Sequence, residues 1–290
     1  MALGPRDPVT GVHTTGHEWA GITELDNPIP TVVKLSYAIT FAIAVLLWLL
    51  YPAWPLISPY SQGLLSWSQR AVLASQLDEA AQVSAPWLDR IAVMEPADIA
   101  KDATLEKFVQ HRGARLFADN CAVCHGQQGK GRAGFPNLSD GDWLWGGGLK
   151  DIQLTLEVGV NGEHEETRTG AMPAFGTDDI LQRAEIIAVA DYVRRLSGLA
   201  TKKKDGADDG AGRALFAENC ASCHGAQGRG NKEMGAPNLT DDIWLYGNSP
   251  ATIYQTVYRG RVGRMPRWSG RFSPAQIKIM TVYVNSLSHP

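Results

Sequence analysis

The feature that most constrains this chain is a duplicated run of cysteine and histidine. All four cysteines of the 290-residue sequence fall in two five-residue runs, Cys121-Ala122-Val123-Cys124-His125 and Cys220-Ala221-Ser222-Cys223-His224. Cys-x-x-Cys-His is the pattern for covalent haem attachment: both thiols add to the haem vinyl groups, and the histidine reaches the iron. Two other chemistries use paired cysteines. A tetrahedral zinc site would need both pairs to share one metal or to recruit further ligands. A redox dithiol or disulfide has no use for a histidine directly after each second cysteine.

The runs lie inside a longer internal repeat. Gly113 to Gly126 matches Gly212 to Gly225 at ten of fourteen positions, with an offset of 99 residues. Further pairs follow in the same order: Pro136-Asn137-Leu138 with Pro237-Asn238-Leu239, Trp143 with Trp244, and Met172-Pro173 with Met265-Pro266. Two copies are too few for a solenoid, which needs at least about three repeats to build a continuous core. The expectation is therefore two independent haem-carrying beads, each with a helix before the haem motif and another at its end. Ser273-Pro274 reads as cap and first-turn proline of a helix ending near Leu287, and Thr177-Asp178-Asp179 as the start of one running through Arg195.

An electron-transfer haem needs a second axial ligand, and methionine sulfur favours ferrous iron relative to a second histidine. Met172 and Met265 stand at matched positions, each held by a following proline. The rivals are Met234, in an insertion with no methionine counterpart, and His164, among Glu163, Glu165 and Glu166. Met234 reads as packing and His164 as a solvated loop histidine. His13, His17, His111 and His289 have no partner in the repeat and are assigned no iron.

Ahead of the repeats, residues 1–30 are polar and proline-containing, and read as an extended tail. The next stretch, Thr31 to Tyr51, is apolar except for Lys34 and small hydroxyl residues, long enough to cross a bilayer core. Trp48, Tyr51 and Trp54 suit the headgroup layer, and Pro52 and Pro55 stop the helix. A cleaved signal peptide would place its apolar region nearer the start, after a basic stretch. An uncleaved anchor is expected, with the tail cytoplasmic and the haem domains on the outer, periplasmic side of a bacterial inner membrane, where thiol chemistry is oxidising.

A net charge of -3 excludes the basic footprint of a nucleic-acid binder. Charge is uneven between the repeats. The first is acidic, with Glu163, Glu165, Glu166, Asp178 and Asp179 around Met172, and the second is basic, with Arg259, Arg261, Arg264, Arg267 and Arg271 around Met265. Such edges can steer different partners, although solvated surface and contacts to haem propionates account for them equally.

The tail from His17 to Pro30 resembles the N-terminal signature of the dihaem subunit, subunit III, of cbb3-type cytochrome c oxidases, and the order of anchor and two haem motifs extends the resemblance along nearly the whole chain. It implies an all-α chain: one N-terminal transmembrane helix followed by two tandem class I cytochrome c domains. The expected boundaries are a cytoplasmic tail over 1–30, a transmembrane helix over 31–55, a linker with helices over 56–104, a first cytochrome c domain over 105–200, a connector over 201–210 and a second domain over 211–290. Two covalently bound haem c groups are implied, one held by Cys121, Cys124, His125 and Met172 and the other by Cys220, Cys223, His224 and Met265. The resemblance further implies electron transfer from a donor cytochrome c, through this chain, to the monohaem subunit and the haem–copper subunit that reduces oxygen, with membrane lipid around the anchor. With two protein ligands on each iron, the chain itself should not reduce oxygen. The alternatives are a free membrane-anchored dihaem cytochrome serving another complex and, from a different class, a dihaem peroxidase, which needs one open iron.

Overall fold

The computed structural model describes residues 4–55, 60–199 and 210–288. The chain divides into two units, residues 1–83 and 84–290.

In the first unit the tail is not simply extended. Strands β1 (Thr14–Trp19) and β2 (Ile22–Leu25) form an antiparallel hairpin with Trp19 opposite Ile22. Ala20 and Gly21 both take positive φ, the geometry of a two-residue hairpin turn. Glu24 ties the strands together, accepting from the Trp19 indole at 2.9 Å and the Thr15 hydroxyl at 3.2 Å. Six residues with short alternation gave little pattern to read, so polar cross-strand bonds rather than a buried face define this hairpin.

Helix α1 (Thr31–Leu50) is the apolar segment, starting after Pro30 and ending where Tyr51 turns extended ahead of Pro52. Its 20 residues span about 30 Å at 1.5 Å per residue, the thickness of a hydrocarbon core. None of them is buried within the chain. Ser36 and Thr40 return their hydroxyls to the carbonyls of Val32 and Ser36, so both hydroxyls are paired within the helix. The helix is shorter than the 31–55 expected, because the prolines act from Tyr51 onward. Trp48 and Trp54 meet edge to face at 4.9 Å.

Helix α2 (Gln69–Val93) carries the chain into the second unit, followed by α3 (Pro96–Ile99) and α4 (Ala103–Asn120). Asp102 caps α4 by accepting from the backbone N–H groups of Thr104 and Leu105, and Arg90 pairs with it at 2.6 Å. Ile91 and Ile99 are fully buried with Leu105 and Val109, so the end of the expected helical linker packs into the core of this unit. The remaining elements are α5 (Ala122–His125), α6 (Leu149–Val158), α7 (Arg183–Leu196), α8 (Gly210–Asn219), α9 (Ala221–His224), α10 (Pro250–Arg259) and α11 (Pro274–Leu287). The expected capped start at Ser273 is present, with Gln276 completing a capping box. Helix α7 begins later than expected, after a Gln182–Glu185 box, because Leu181 is drawn into the core and Asp179 takes a positive φ.

The repeats do not fold as independent beads. Helix α11, from the second repeat, packs on α4 and α6 of the first, and α7, from the first, packs on α8 and α10 of the second. Each half is built the same way. Phe117 meets Tyr283 at 5.7 Å, and Phe216 meets Tyr192 at 5.4 Å. A Cβ on Gly113 would lie 2.6 Å from the Tyr283 Cβ, and one on Gly212 would lie 3.0 Å from the Tyr192 Cβ. Because the repeats are alike, either final helix can fill either half.

The crossing itself is secured by backbone bonds between repeats. Val160 and Met265 exchange bonds of 2.9 and 3.0 Å, and Met172 and Arg261 exchange bonds of 2.9 and 3.1 Å. Gly159 and Gly260, ending α6 and α10, take positive φ and let the chain pass close to the Met265 and Met172 carbonyls. The expected connector lies, except for Gly210, outside the described residues.

Candidate haem-binding sites

Each Cys-x-x-Cys-His run forms one helical turn directly after α4 or α8. The amides of Cys124 and His125 donate to the Cys121 carbonyl, and those of Cys223 and His224 to the Cys220 carbonyl. Cysteines three apart on one turn share a face. This holds both sulfurs ready for one flat ligand.

The histidines are oriented identically. His125 Nδ1 lies 3.0 Å from the Pro136 carbonyl, and His224 Nδ1 lies 3.0 Å from the Pro237 carbonyl. A carbonyl only accepts, so Nδ1 carries the proton and Nε2 keeps its lone pair for a metal. Asn137 and Asn238 fold the carbonyl-bearing loops by accepting from Ser139 and Thr240. Burial holds both imidazoles below their ordinary value, against the opposing effect of the carbonyl bonds. They are therefore neutral near pH 7, the form that binds iron. Burial, with the neighbouring cysteine adding to it, pushes the Cys121 and Cys220 thiols up to about 11.

The methionines are reversed relative to the expectation. Met265 packs against the cluster containing Cys121, Phe117, Ile152 and Leu156, whereas Met172 packs against the cluster containing Phe216, Val189 and Val257, which Cys220 also adjoins. The expected pairing of Met172 with His125 and Met265 with His224 is not the one this packing favours: each methionine goes with the final helix of its repeat, and those helices are exchanged. Repeat position singled out the two candidate methionines but could not reveal which half each one enters.

Neither rival packs among the residues of the Cys121 or Cys220 cluster. Met234 is exposed, and its carbonyl lies against Gly170. His164 spends Nδ1 on the Glu166 amide at 3.1 Å, within its own loop. That acidic loop adjoins Met265 through Val160, so acidic and arginine-rich segments meet there instead of marking separate beads.

Three buried donors bear on what these clefts hold. The indole nitrogens of Trp143 and Trp244, at matched positions, and that of Trp268 are buried without a partner among the described residues. Trp143 and Trp268 lie in or against the Cys121 cluster and Trp244 against the Cys220 cluster. A buried donor left unpaired costs about 1–3 kcal/mol. The carboxylates of a haem offer acceptors that the protein does not, so the donor set fits haem as well as the thiols and imidazoles do. The paired tryptophans stood in the repeat, but only their burial gives them this role.

Three consecutive segments of the chain match models of known families. Residues 11–58 match the N-terminal domain of cytochrome oxidase-cbb3, FixP; residues 110–197 match cytochrome c; and residues 207–284 match cytochrome c oxidase, cbb3-type, subunit III. The chain is 49% identical over 281 residues to the cbb3-type cytochrome c oxidase subunit FixP of Bradyrhizobium sp. strain ORS 278, covering 97% of this chain and 96% of that protein. The chain belongs to the FixP/CcoP family of cbb3-type oxidase subunits. Relatives named CcoP include that of Azospirillum sp. strain B510, 44% identical over 99% of both chains, and that of Cereibacter sphaeroides, 41% identical over 94% of both. As a FixP/CcoP protein it is an electron-transfer subunit with two covalent haem c groups and a candidate membrane anchor in α1.

Proposed function

We propose that this subunit carries electrons on two haem c groups with crossed ligation: Cys121, Cys124, His125 and Met265 hold one, and Cys220, Cys223, His224 and Met172 hold the other. The observation that supports this most is the packing of Met265 against the Cys121 cluster and Met172 against the Cys220 cluster. Haem iron supplies a one-electron carrier with two stable oxidation states. His125 and His224 present Nε2 in a fixed orientation, because the Pro136 and Pro237 carbonyls hold the opposite nitrogen. Met172 and Met265 offer a thioether that favours the reduced state. The buried indole N–H groups of Trp143 and Trp244 would donate to haem carboxylates. A histidine and a methionine holding each iron would leave no position for oxygen or peroxide, which argues against a peroxidase.

The haem-carrying unit faces the periplasm and α1 crosses the inner membrane, since attachment of both haems requires paired thiols to be handled in an oxidising compartment. Electrons enter from a donor cytochrome c and leave towards the monohaem subunit and the haem–copper subunit of the oxidase. Purification from native membranes in mild detergent tests this. The chain should bring with it haem b and cyanide-sensitive oxygen uptake from reduced cytochrome c. Two c-type haems recovered alone, from membranes whose other complexes stay intact, would favour a free carrier instead.

A further inference from the structure

The two methionine segments meet at one side chain. Asn161 follows Val160 in the crossing and has a positive φ of 47°, a conformation asparagine tolerates better than most residues. Its Nδ2 donates to the Gly170 carbonyl at 2.8 Å and to the Gly263 carbonyl at 2.7 Å, using both hydrogens, while Oδ1 accepts from the Gly170 amide at 3.0 Å. Gly170 lies two residues before Met172, and Gly263 two residues before Met265. One carboxamide therefore spans the approaches to both methionines, which belong to different repeats and enter different clefts.

The repeat has no second copy of this device. The residue matched to Asn161 is Val262, next after Arg261 as Asn161 is next after Val160, and Val262 is 60% exposed and cannot donate or accept through its side chain. The backbone crossing is nearly symmetric, whereas the side-chain clasp is single. We infer that Asn161 is a positioning residue that holds both axial methionines in place at once, so that the two haems share one ligand-holding contact. The inference rests on Met172 and Met265 being the ligands proposed above.

The variant Asn161→Asp tests it. Aspartate keeps the size, tolerates the same φ and still accepts from the Gly170 amide, but it cannot donate to either carbonyl and sets an anionic oxygen against them. The readouts, on the full chain with both haems attached, are the long-wavelength charge-transfer band of ferric iron bound to methionine sulfur and the midpoint potential of each haem. The expected result is a weaker band and a lower potential at both haems. Asn161→Gly, which keeps the φ and deletes all three bonds, should act in the same direction. Thr167→Ala is the control, since it removes only the bond to the Gly162 amide inside the same loop and should leave both bands at wild-type strength. A change confined to one haem, an unchanged pair, or an equal effect from Thr167→Ala would overturn the clasp. Failure of the ligand assignment reads differently, because the wild-type chain would then already lack the methionine band at one or both haems.

Discussion

His125 and His224 show how a single bond can prepare a residue for the role proposed: a proline carbonyl takes the proton-bearing nitrogen and leaves the lone pair of the other for a metal. That much could be read from the motif, since the histidine position is set by the cysteines before it. The carboxyls near the Trp143 loop could not. Burial raises Asp140 and Asp142 above the ordinary carboxylate value, and Asp241 of the second repeat adds to the shift in both. The folded protein then holds these protons more tightly than the unfolded chain. Their contribution favours folding at acid pH and is lost as pH rises through the raised values. Asp142→Asn should accordingly raise the melting temperature at pH 7, and the gain should shrink as pH falls towards 3.8, the ordinary aspartate value. A gain that stays constant over that range would show that charge is not its source.

At the scale of elements, the contact of α4 with α11 and of α8 with α7 depends on glycine where the helices come closest. Gly113→Ala should overpack against Tyr283 and destabilise the chain by about 1–3 kcal/mol. Gly212→Ala should do the same, because its Cβ would meet the Ala188 carbonyl at 2.5 Å. Gly141→Ala is the comparison, with nothing within 4 Å of its Cβ. Thermal melting followed at the haem band would measure all three, and equal melting temperatures would contradict the close packing. Helices were largely legible from caps and periodicity: the Ser273 start of α11 stood in the sequence as it stands in the structure. Helix α7 starts later because Thr177-Asp178-Asp179, though it has the composition of a cap, folds as a turn: the Gly176 and Thr177 amides donate to the Tyr258 carbonyl, and those of Asp178 and Asp179 to the carbonyls of Ala174 and Gly176. The β1–β2 hairpin was missed because its pairing rests on Glu24 and a positive-φ turn, neither of which leaves a hydrophobic period.

Over the whole haem-carrying unit, duplication has been used to interlock rather than merely to repeat. Opening either half means withdrawing a helix that belongs to the other repeat and breaking the paired bonds of Val160 with Met265 and Met172 with Arg261. The halves are expected to unfold together, unlike beads on a connector. Sequence alone pointed to four cysteines, two histidines and two methionines as the candidate haem-binding residues. It could not reveal the exchange, because two similar repeats present the same faces to either partner, and the bonds that mark the crossing are made by backbone at residues of no common type. The most direct measurement is an experimental density map of the haem-loaded subunit in its oxidase, resolved well enough to trace side chains. Crossed ligation predicts that the haem bonded to Cys121 and Cys124 carries the sulfur of Met265 and that the haem bonded to Cys220 and Cys223 carries the sulfur of Met172. Met172 on the first haem and Met265 on the second would contradict it and return the subunit to two independent domains.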